Sequence, residues 1–136
     1  MVLTNELCDK LCSAALKKSK EVGIDISFAV CDENGLPRMY RRYGEALVLS
    51  ITLVPGKAYT AAVTQCKTKD VAAAAAEGQS LMAIQTSDPR ITLVAGGYPL
   101  FVNGKIVGGI GVGGGTEEQD CAIAEYVVSI FDELTK

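Results

Sequence analysis

The sequence YPLFVNGKIVGGIGV, residues 98–112, carries the strongest local folding signal in the chain. Two apolar runs flank Asn103-Gly104, and this dipeptide is typical of a two-residue hairpin turn because both of its positions adopt positive φ at low cost. Tyr98–Val102 and Lys105–Val112 are therefore predicted to form two antiparallel strands joined by this turn.

Clear signals also flank the hairpin. The glycines 113–115 follow it, and Thr116 with Gln119 then fits a capping box that starts a helix. On the other side, Ile91–Val94 is predicted as a short strand that Ala95-Gly96-Gly97 interrupts.

The N-terminal part of the sequence predicts a helix followed by a second hairpin. Apolar residues recur at helical spacing over residues 4–22, and Gly23 supplies a left-handed stop. Residues 26–31 and 36–43 are predicted strands, with the turn Asp32-Glu33-Asn34-Gly35 between them.

The middle of the chain predicts two further helices. Residues 46–66 look helical, but Pro55 lacks an N–H, so either the helix kinks there or a new helix starts at Pro55. The run Val71–Ala76 favours a helix because alanine has the highest helix propensity, and Gly78 is expected to end it.

This order of elements defines the expected fold class. One domain spanning residues 1–136 is predicted to be α/β (α+β), with a five-stranded antiparallel sheet flanked by helices on both faces. With 49% hydrophobic residues, the chain can bury a core of its own.

Composition excludes several functions. The chain has no histidine, which excludes a histidine-dependent triad and histidine-ligated haem or zinc within it. The balance of 13 basic against 16 acidic residues and the 6% aromatic content argue against nucleic-acid binding.

The sequence also predicts the location of the protein and the redox state of its cysteines. No apolar run approaches the ~18 residues of a membrane span, so no membrane partner is expected. Charged residues stand where a signal peptide would be apolar, and the five cysteines are an odd number. We expect a cytoplasmic protein with reduced thiols and no metal site.

Two motifs allow a chemical interpretation. Gly109–Gly114 satisfies G-x-G-x-x-G, but Glu117, Glu118 and Asp120 would repel a dinucleotide, so close approach of two backbones is the favoured explanation.

Cations form the second motif. Arg38 and Arg42 share a strand face that Lys57 could approach, which indicates either an anion site or a charged, solvated edge strand. For Lys57, an anion contact is favoured over Schiff-base chemistry.

Five segments carry a resemblance to known proteins: Lys57–Ala62, Gly78–Leu81, Gly96–Leu100, Asn103–Gly114 and Glu118–Asp120. They resemble the GlcG/HbpS-like family, also called the haem-degrading domain family. This family includes the C-terminal domain of PduO-type corrinoid adenosyltransferases and the OrfY-type proteins of diol and glycerol dehydratase gene clusters. The resemblance covers essentially the whole chain.

The resemblance implies a profilin-like fold, a homo-oligomer, and a ligand that is either haem or a corrinoid; it implies no shared catalytic mechanism. The chain departs from the family in Arg42–Ala46, where an aspartate is missing, and in lacking histidine for haem. Tyrosine, Met39 or a cysteine would have to replace histidine as an iron ligand.

The leading hypothesis is a non-catalytic oligomeric protein that binds a tetrapyrrole-like small molecule. The alternatives are an enzyme acting on a corrinoid or small metabolite, and an assembly module without a ligand. No catalytic residue is assigned, and the expected pocket is lined by Arg42, Lys57, Tyr59, Gly96, Gly97 and Asp120.

Overall fold

The structure, a computed structural model that describes residues 1–136, contains one antiparallel sheet with helices on both faces. Along the chain the elements are α1 (Asn5–Val22), β1 (Ser27–Asp32), β2 (Pro37–Arg42), α2 (Ser50–Thr64), α3 (Thr68–Ala74), α4 (Ile84–Ser87), β3 (Gly97–Val102), β4 (Lys105–Gly113) and α5 (Glu117–Leu134). The strands lie in the order β2-β1-β4-β3, which confirms the predicted α+β class.

The side chains of β1 point alternately to the two faces of the sheet and contribute to two separate hydrophobic cores. Phe28 and Val30 belong to the larger core, which α1 and α5 cover. Ala29 and Cys31 face the other way and pack with Val54 and other apolar residues of α2. Because successive strand residues point to opposite faces, this one strand contributes to both layers.

The predicted 103–104 hairpin is confirmed. Asn103 has φ 52° and Gly104 has φ 77°, and Val102 lies opposite Lys105. This turn fixes the register of β3 and β4, and β4 then pairs with β1 at the centre of the sheet.

The predicted fifth strand is wrong. Residues 91–94 form no strand, and side chains satisfy the backbone there instead: the Thr92 N–H donates to Thr60 Oγ1 (2.7 Å), and Gln85 Nε2 donates to the Ile91 carbonyl oxygen (2.8 Å). Ile91 is buried against Tyr59 rather than facing a neighbouring strand. The sheet therefore has four strands.

The two middle helices differ in detail from the predictions. α2 begins at Ser50 and runs through Pro55, so the alternative of a new helix starting at the proline is wrong. α3 ends at Ala74, before Gly78.

The glycine-rich motif brings α2 close to β4. A Cβ at Gly109 would collide with the Ala58 carbonyl oxygen, and one at Gly111 would collide with the Val54 carbonyl oxygen. These glycines serve close backbone approach, as the sequence predicted, and the packing seats α2 directly on the sheet.

Candidate functional site

Lys57 and Asp120 form a buried ion pair between α2 and α5. Lys57 is only 2% exposed; its Nζ donates to the Val112 carbonyl oxygen at 2.8 Å and lies 3.4 Å from Asp120 Oδ2. Asp120 Oδ1 accepts the Gly115 N–H at 2.9 Å. The two charges thus tie α2 to the end of β4 and to the loop before α5.

Burial disfavours the charged form of both partners. It lowers the pKa of Lys57, against the opposing effect of the Asp120 carboxylate. It likewise raises the pKa of Asp120, while the Gly115 N–H and Lys57 act in the opposite direction. Such a pair is held in place by its hydrogen bonds, and losing either partner would leave an uncompensated charge.

Gly96 and Gly97 make room for this pair. Gly96 has φ 120°, and a Cβ there would lie 3.0 Å from Lys57 Nζ. The Gly97 N–H donates to Thr68 Oγ1 at 2.9 Å, and both glycines are buried. The structure therefore brings together four of the six predicted site residues.

An open cavity lies over the pair. Its volume is about 310 Å³, and Asp120 is among its lining residues together with Lys69 and Glu117. Asp120 is the member of the pair that reaches this cavity, because Lys57 lies beneath the surface.

Tyr59 lies in a second cluster with Asp88 and Arg90. Its hydroxyl donates to Asp88 Oδ2 and accepts from Arg90 Nη2, and the Arg90 guanidinium stacks 4.2 Å from the centre of the tyrosine ring. The hydrogen bond to Asp88 raises the pKa of Tyr59 and lowers that of Asp88. The network fixes the ring and presents a guanidinium beside it.

This cluster stands at one end of a feature that we name the Tyr59 groove. Two adjoining cavities of about 500 and 260 Å³ share Gly35, Pro37 and Pro55. Arg90 lines the larger cavity, whereas the smaller one is almost entirely apolar. The groove is lined by Ala29, Val30, Cys31, Gly35, Leu36, Pro37, Met39, Tyr40, Thr52, Pro55, Gly56, Ala58, Tyr59, Pro89, Arg90 and Thr92.

Arg42 stands apart from both clusters. It lies on the edge strand β2, where its Nε donates to the Ala46 carbonyl oxygen at 2.8 Å and its Nη2 is 3.7 Å from Glu45 Oε2. The side chain is 46% exposed, so it is a solvated strand residue that organises the chain after β2.

The six predicted residues therefore lie in three places rather than around one cavity. Lys57, Gly96, Gly97 and Asp120 meet at the end of β4, Tyr59 lies in the groove, and Arg42 lies on the sheet edge. Strand spacing and helix direction separate these residues in space. Both depend on tertiary packing, which the local sequence patterns do not determine.

No sequence pattern described above points to Asp88 or Arg90. Ser87-Asp88-Pro89 is typical of a turn, and neither charged residue belongs to the segments that resemble the family. Their contact with Tyr59 spans about thirty positions of the chain, so only the adjacent Asp-Pro-Arg charges could have signalled it.

The thiol of Cys31 and the hydroxyl of Tyr40 line the groove, and both are already engaged in hydrogen bonds. Cys31 Sγ donates to the Ala58 carbonyl oxygen at 3.2 Å, and burial raises the pKa of this thiol to about 12. The Tyr40 hydroxyl donates to Ser27 Oγ at 2.9 Å. Neither group is prepared to bind a metal as an anion.

The chain belongs to the HbpS-like family, described as haem-degrading protein HbpS-like, whose profile matches residues 3–129. The predicted resemblance is thereby confirmed. In addition, no helix is both long and apolar enough to cross a membrane.

Two relatives illustrate the sequence match. An uncharacterized 15.0 kDa protein of Citrobacter freundii, from the dhaT-dhaS intergenic region, is 35% identical over 133 residues, covering 97% of this chain and 94% of that protein. The corrinoid adenosyltransferase PduO of the same organism is 29% identical over 136 residues, covering 99% of this chain but only 41% of PduO.

Two solved structures share the fold. Protein ORFY of Klebsiella pneumoniae superposes with a TM-score of 0.91 at 31% identity, covering 96% of this chain and 90% of ORFY. A complex of PduOC with haem superposes with a TM-score of 0.88 at 26% identity, covering 93% of each chain.

Proposed function

We propose that this protein is a non-catalytic, oligomeric accessory protein that binds a tetrapyrrole-like ligand, haem or a corrinoid, in support of cobalamin-dependent metabolism of diols or glycerol. The family and the haem complex of PduOC support the ligand class, and the PduO relative supports the link to corrinoids. The observation that carries the proposal is the Tyr59 groove.

The groove is amphipathic along its length. Its apolar cavity provides a surface for a flat ring system, and Arg90 at the other end can hold a peripheral carboxylate by a charge-assisted hydrogen bond. The combined volume of the two cavities falls in the usual range of small-molecule sites, about 300–1,000 Å³.

The residues of the groove fit a porphyrin or corrin ring but provide no free axial ligand. The chain lacks histidine, the Cys31 thiol is protonated at neutral pH, and Met39 packs against the larger core. The hydroxyls of Tyr40 and Tyr59 are held by hydrogen bonds to other side chains. When bound, the ligand would bring its own metal chemistry; these residues hold its ring and its carboxylates.

The predicted residues then take different roles. Tyr59 contacts the ligand together with Arg90, while Lys57, Asp120, Gly96 and Gly97 support the groove by fixing α2 on the sheet. Arg42 acts on the conformation of the chain that leads into α2.

Absorbance titration of the protein with hemin, metal-free protoporphyrin IX and cobalamin tests the proposal. Hemin and protoporphyrin IX are expected to bind with dissociation constants within about tenfold of each other, since tenfold corresponds to about 1.4 kcal/mol and no iron ligand is involved. Saturation by none of the three would refute tetrapyrrole binding, and hemin binding far more tightly than its metal-free form would refute binding without coordination.

The location is tested separately with Arg90→Gln. Losing the charge should weaken protoporphyrin IX binding by about tenfold or more, because hydrogen bonds to charged groups contribute about 1.5–3 kcal/mol. Arg41→Gln is the matched control, since Arg41 is an exposed arginine of β2 that stacks on Tyr43 outside the groove. Equal affinity of the two variants would place the ligand elsewhere.

Self-association is supported by an exposed apolar patch just before and at the start of α2. Leu47, Val48, Leu49 and Ile51 are each 61–77% exposed, although apolar side chains of this size are usually buried in a monomer. We assign the interface between copies of this chain to this patch, which we call the 47–51 patch.

A further inference from the structure

A cavity of about 420 Å³ lies at the end of the sheet opposite the 47–51 patch, outside the Tyr59 groove. It is formed by the residues before α1, the turn between β1 and β2, and the start of β4. Leu3, Ile106 and Val107 give it an apolar wall, and Arg38 and Lys105 also line it.

Arg38 has a donor that the protein leaves unused. Its Nη2 donates to Asn5 Oδ1 at 3.3 Å, but its Nε is buried and has no hydrogen-bond partner. Buried donors are nearly always partnered, and an unpartnered group on a guanidinium is especially costly. The Cys8 thiol lies against the same guanidinium, but a thiol sulfur is only a weak acceptor, so Arg38 keeps donor capacity for a stronger one.

The strand geometry explains why Arg38 is placed here. The register between β1 and β2 shifts between Val30 and Cys31, where Met39 and then Pro37 are the partners, so Arg38 is left out of the ladder. Bulges of this kind re-aim a side chain, and Arg38 reaches α1 instead of following the alternation of β2.

Neighbouring groups do not neutralise Arg38. Asp32 also lines the cavity, but its Oδ1 accepts the N–H groups of Asn34 and Leu36 within its own turn. Glu33 also lines the cavity but is exposed to solvent, and Arg38 takes part in none of the salt bridges of the chain. Cys8 lies close by, and burial raises the pKa of its thiol, so it stays neutral.

We propose that this cavity binds a small carboxylate that carries an apolar substituent. The carboxylate accepts hydrogen bonds from Arg38 and pairs with Lys105 at the rim, and the substituent packs on Leu3, Ile106 and Val107. An apolar site with a few convergent polar groups is the usual design of a small-molecule pocket. This site is independent of the tetrapyrrole groove.

Titration of the ¹⁵N-labelled protein, free of tetrapyrrole, with 4-methylpentanoate tests the proposal by amide chemical shifts. Saturable shifts are expected around Arg38, Ile106 and Val107. Acetate, which lacks the apolar substituent, and 4-methylpentanamide, which lacks the charge, should each bind at least about tenfold more weakly. Equal binding of the amide, or no saturable shift with 4-methylpentanoate, would overturn the proposal.

Two variants assign the binding to this cavity. Arg38→Gln should weaken binding by about tenfold or more, and Arg41→Gln on the same strand should leave it unchanged. Since Arg38→Gln also loses the contact with Asn5, the exposed rim variant Lys105→Gln provides a second test that spares the fold. If Lys105→Gln and Arg38→Gln both bind as the unaltered protein does, the site is not this cavity. Arg90→Gln should bind 4-methylpentanoate normally, which separates this outcome from that of the groove.

Discussion

Two buried charges, Lys57 and Asp120, hold the junction of α2, β4 and α5. Burial disfavours the charged form of each residue. However, the Lys57 ammonium donates to the Val112 carbonyl oxygen, and the Asp120 carboxylate accepts the Gly115 N–H. Their value to the fold lies in mutual compensation, because one charge left alone in this position would be far less stable than the pair.

Lys57→Met is therefore expected to lower the free energy of unfolding by about 3–5 kcal/mol, as for other buried pairs that lose one partner. Asp120→Asn made in the Lys57→Met background should cost much less than in the unaltered protein, since it removes the charge left unpaired. Urea unfolding of the four proteins of this cycle measures the coupling. An equal cost of Asp120→Asn in both backgrounds would show that the two side chains do not interact.

The same pair shows how far the sequence could predict the site. Lys57 and Asp120 lie in segments that resemble the family, so both were predicted as site residues. That they pair with each other, 63 positions apart, depends on the stacking of α2 and α5 around β4. No local pattern encodes that distance.

At the level of elements, motifs of a few adjacent residues predicted the structure correctly, whereas composition did not predict which segments pair as strands. The Asn103-Gly104 turn and the Thr116 capping box are each determined by a few adjacent residues, and both are present as predicted. Ile91–Val94 has the composition of a strand, but Thr60 and Gln85 satisfy its backbone, so it needs no neighbouring strand. A strand is defined by its partner, which composition does not reveal.

The contact of α2 with β4 yields a prediction for the glycines. In Gly111→Ala the new methyl group would collide with the Val54 carbonyl oxygen and lie 3.0 Å from the Ala58 nitrogen, both of them backbone atoms. Because backbone cannot rotate away, α2 must shift, and we expect a loss of about 3 kcal/mol or more in the free energy of unfolding, at the upper end for overpacking.

Gly78→Ala is the control, measured by the same urea unfolding. Gly78 has open space around its Cα but a φ of 79°, so only the strain of the left-handed conformation, about 1–2 kcal/mol, applies there. The α2–β4 contact would be less tight than described if Gly111→Ala were no more destabilising than Gly78→Ala and left ligand binding in the groove intact.

At the level of the whole molecule, the distribution of apolar surface distinguishes the two sides of the sheet. α1 and α5 together cover one face with a core of 19 buried residues, whereas α2 alone forms the main cover of the other, where the buried cluster has five. The 47–51 patch stands at the start of α2, on the less covered side. Association of two copies there would remove from water the apolar surface that a single chain leaves exposed.

Val48→Asp combined with Leu49→Asp is expected to shift the protein toward monomer, because two carboxylates in an apolar interface must be desolvated when it closes. Sedimentation velocity over a range of protein concentrations measures the mass, and circular dichroism checks that the variant is folded. Leu134→Asp, a change at a 45%-exposed leucine at the end of α5, serves as the matched control and should keep the native mass.

A native protein that sediments as a monomer, or a double variant that keeps the native mass, would show that copies of this chain do not meet through this patch. The apolar side chains at 47–51 would then need a different partner to cover them, since their exposure in water is unfavourable for an isolated chain.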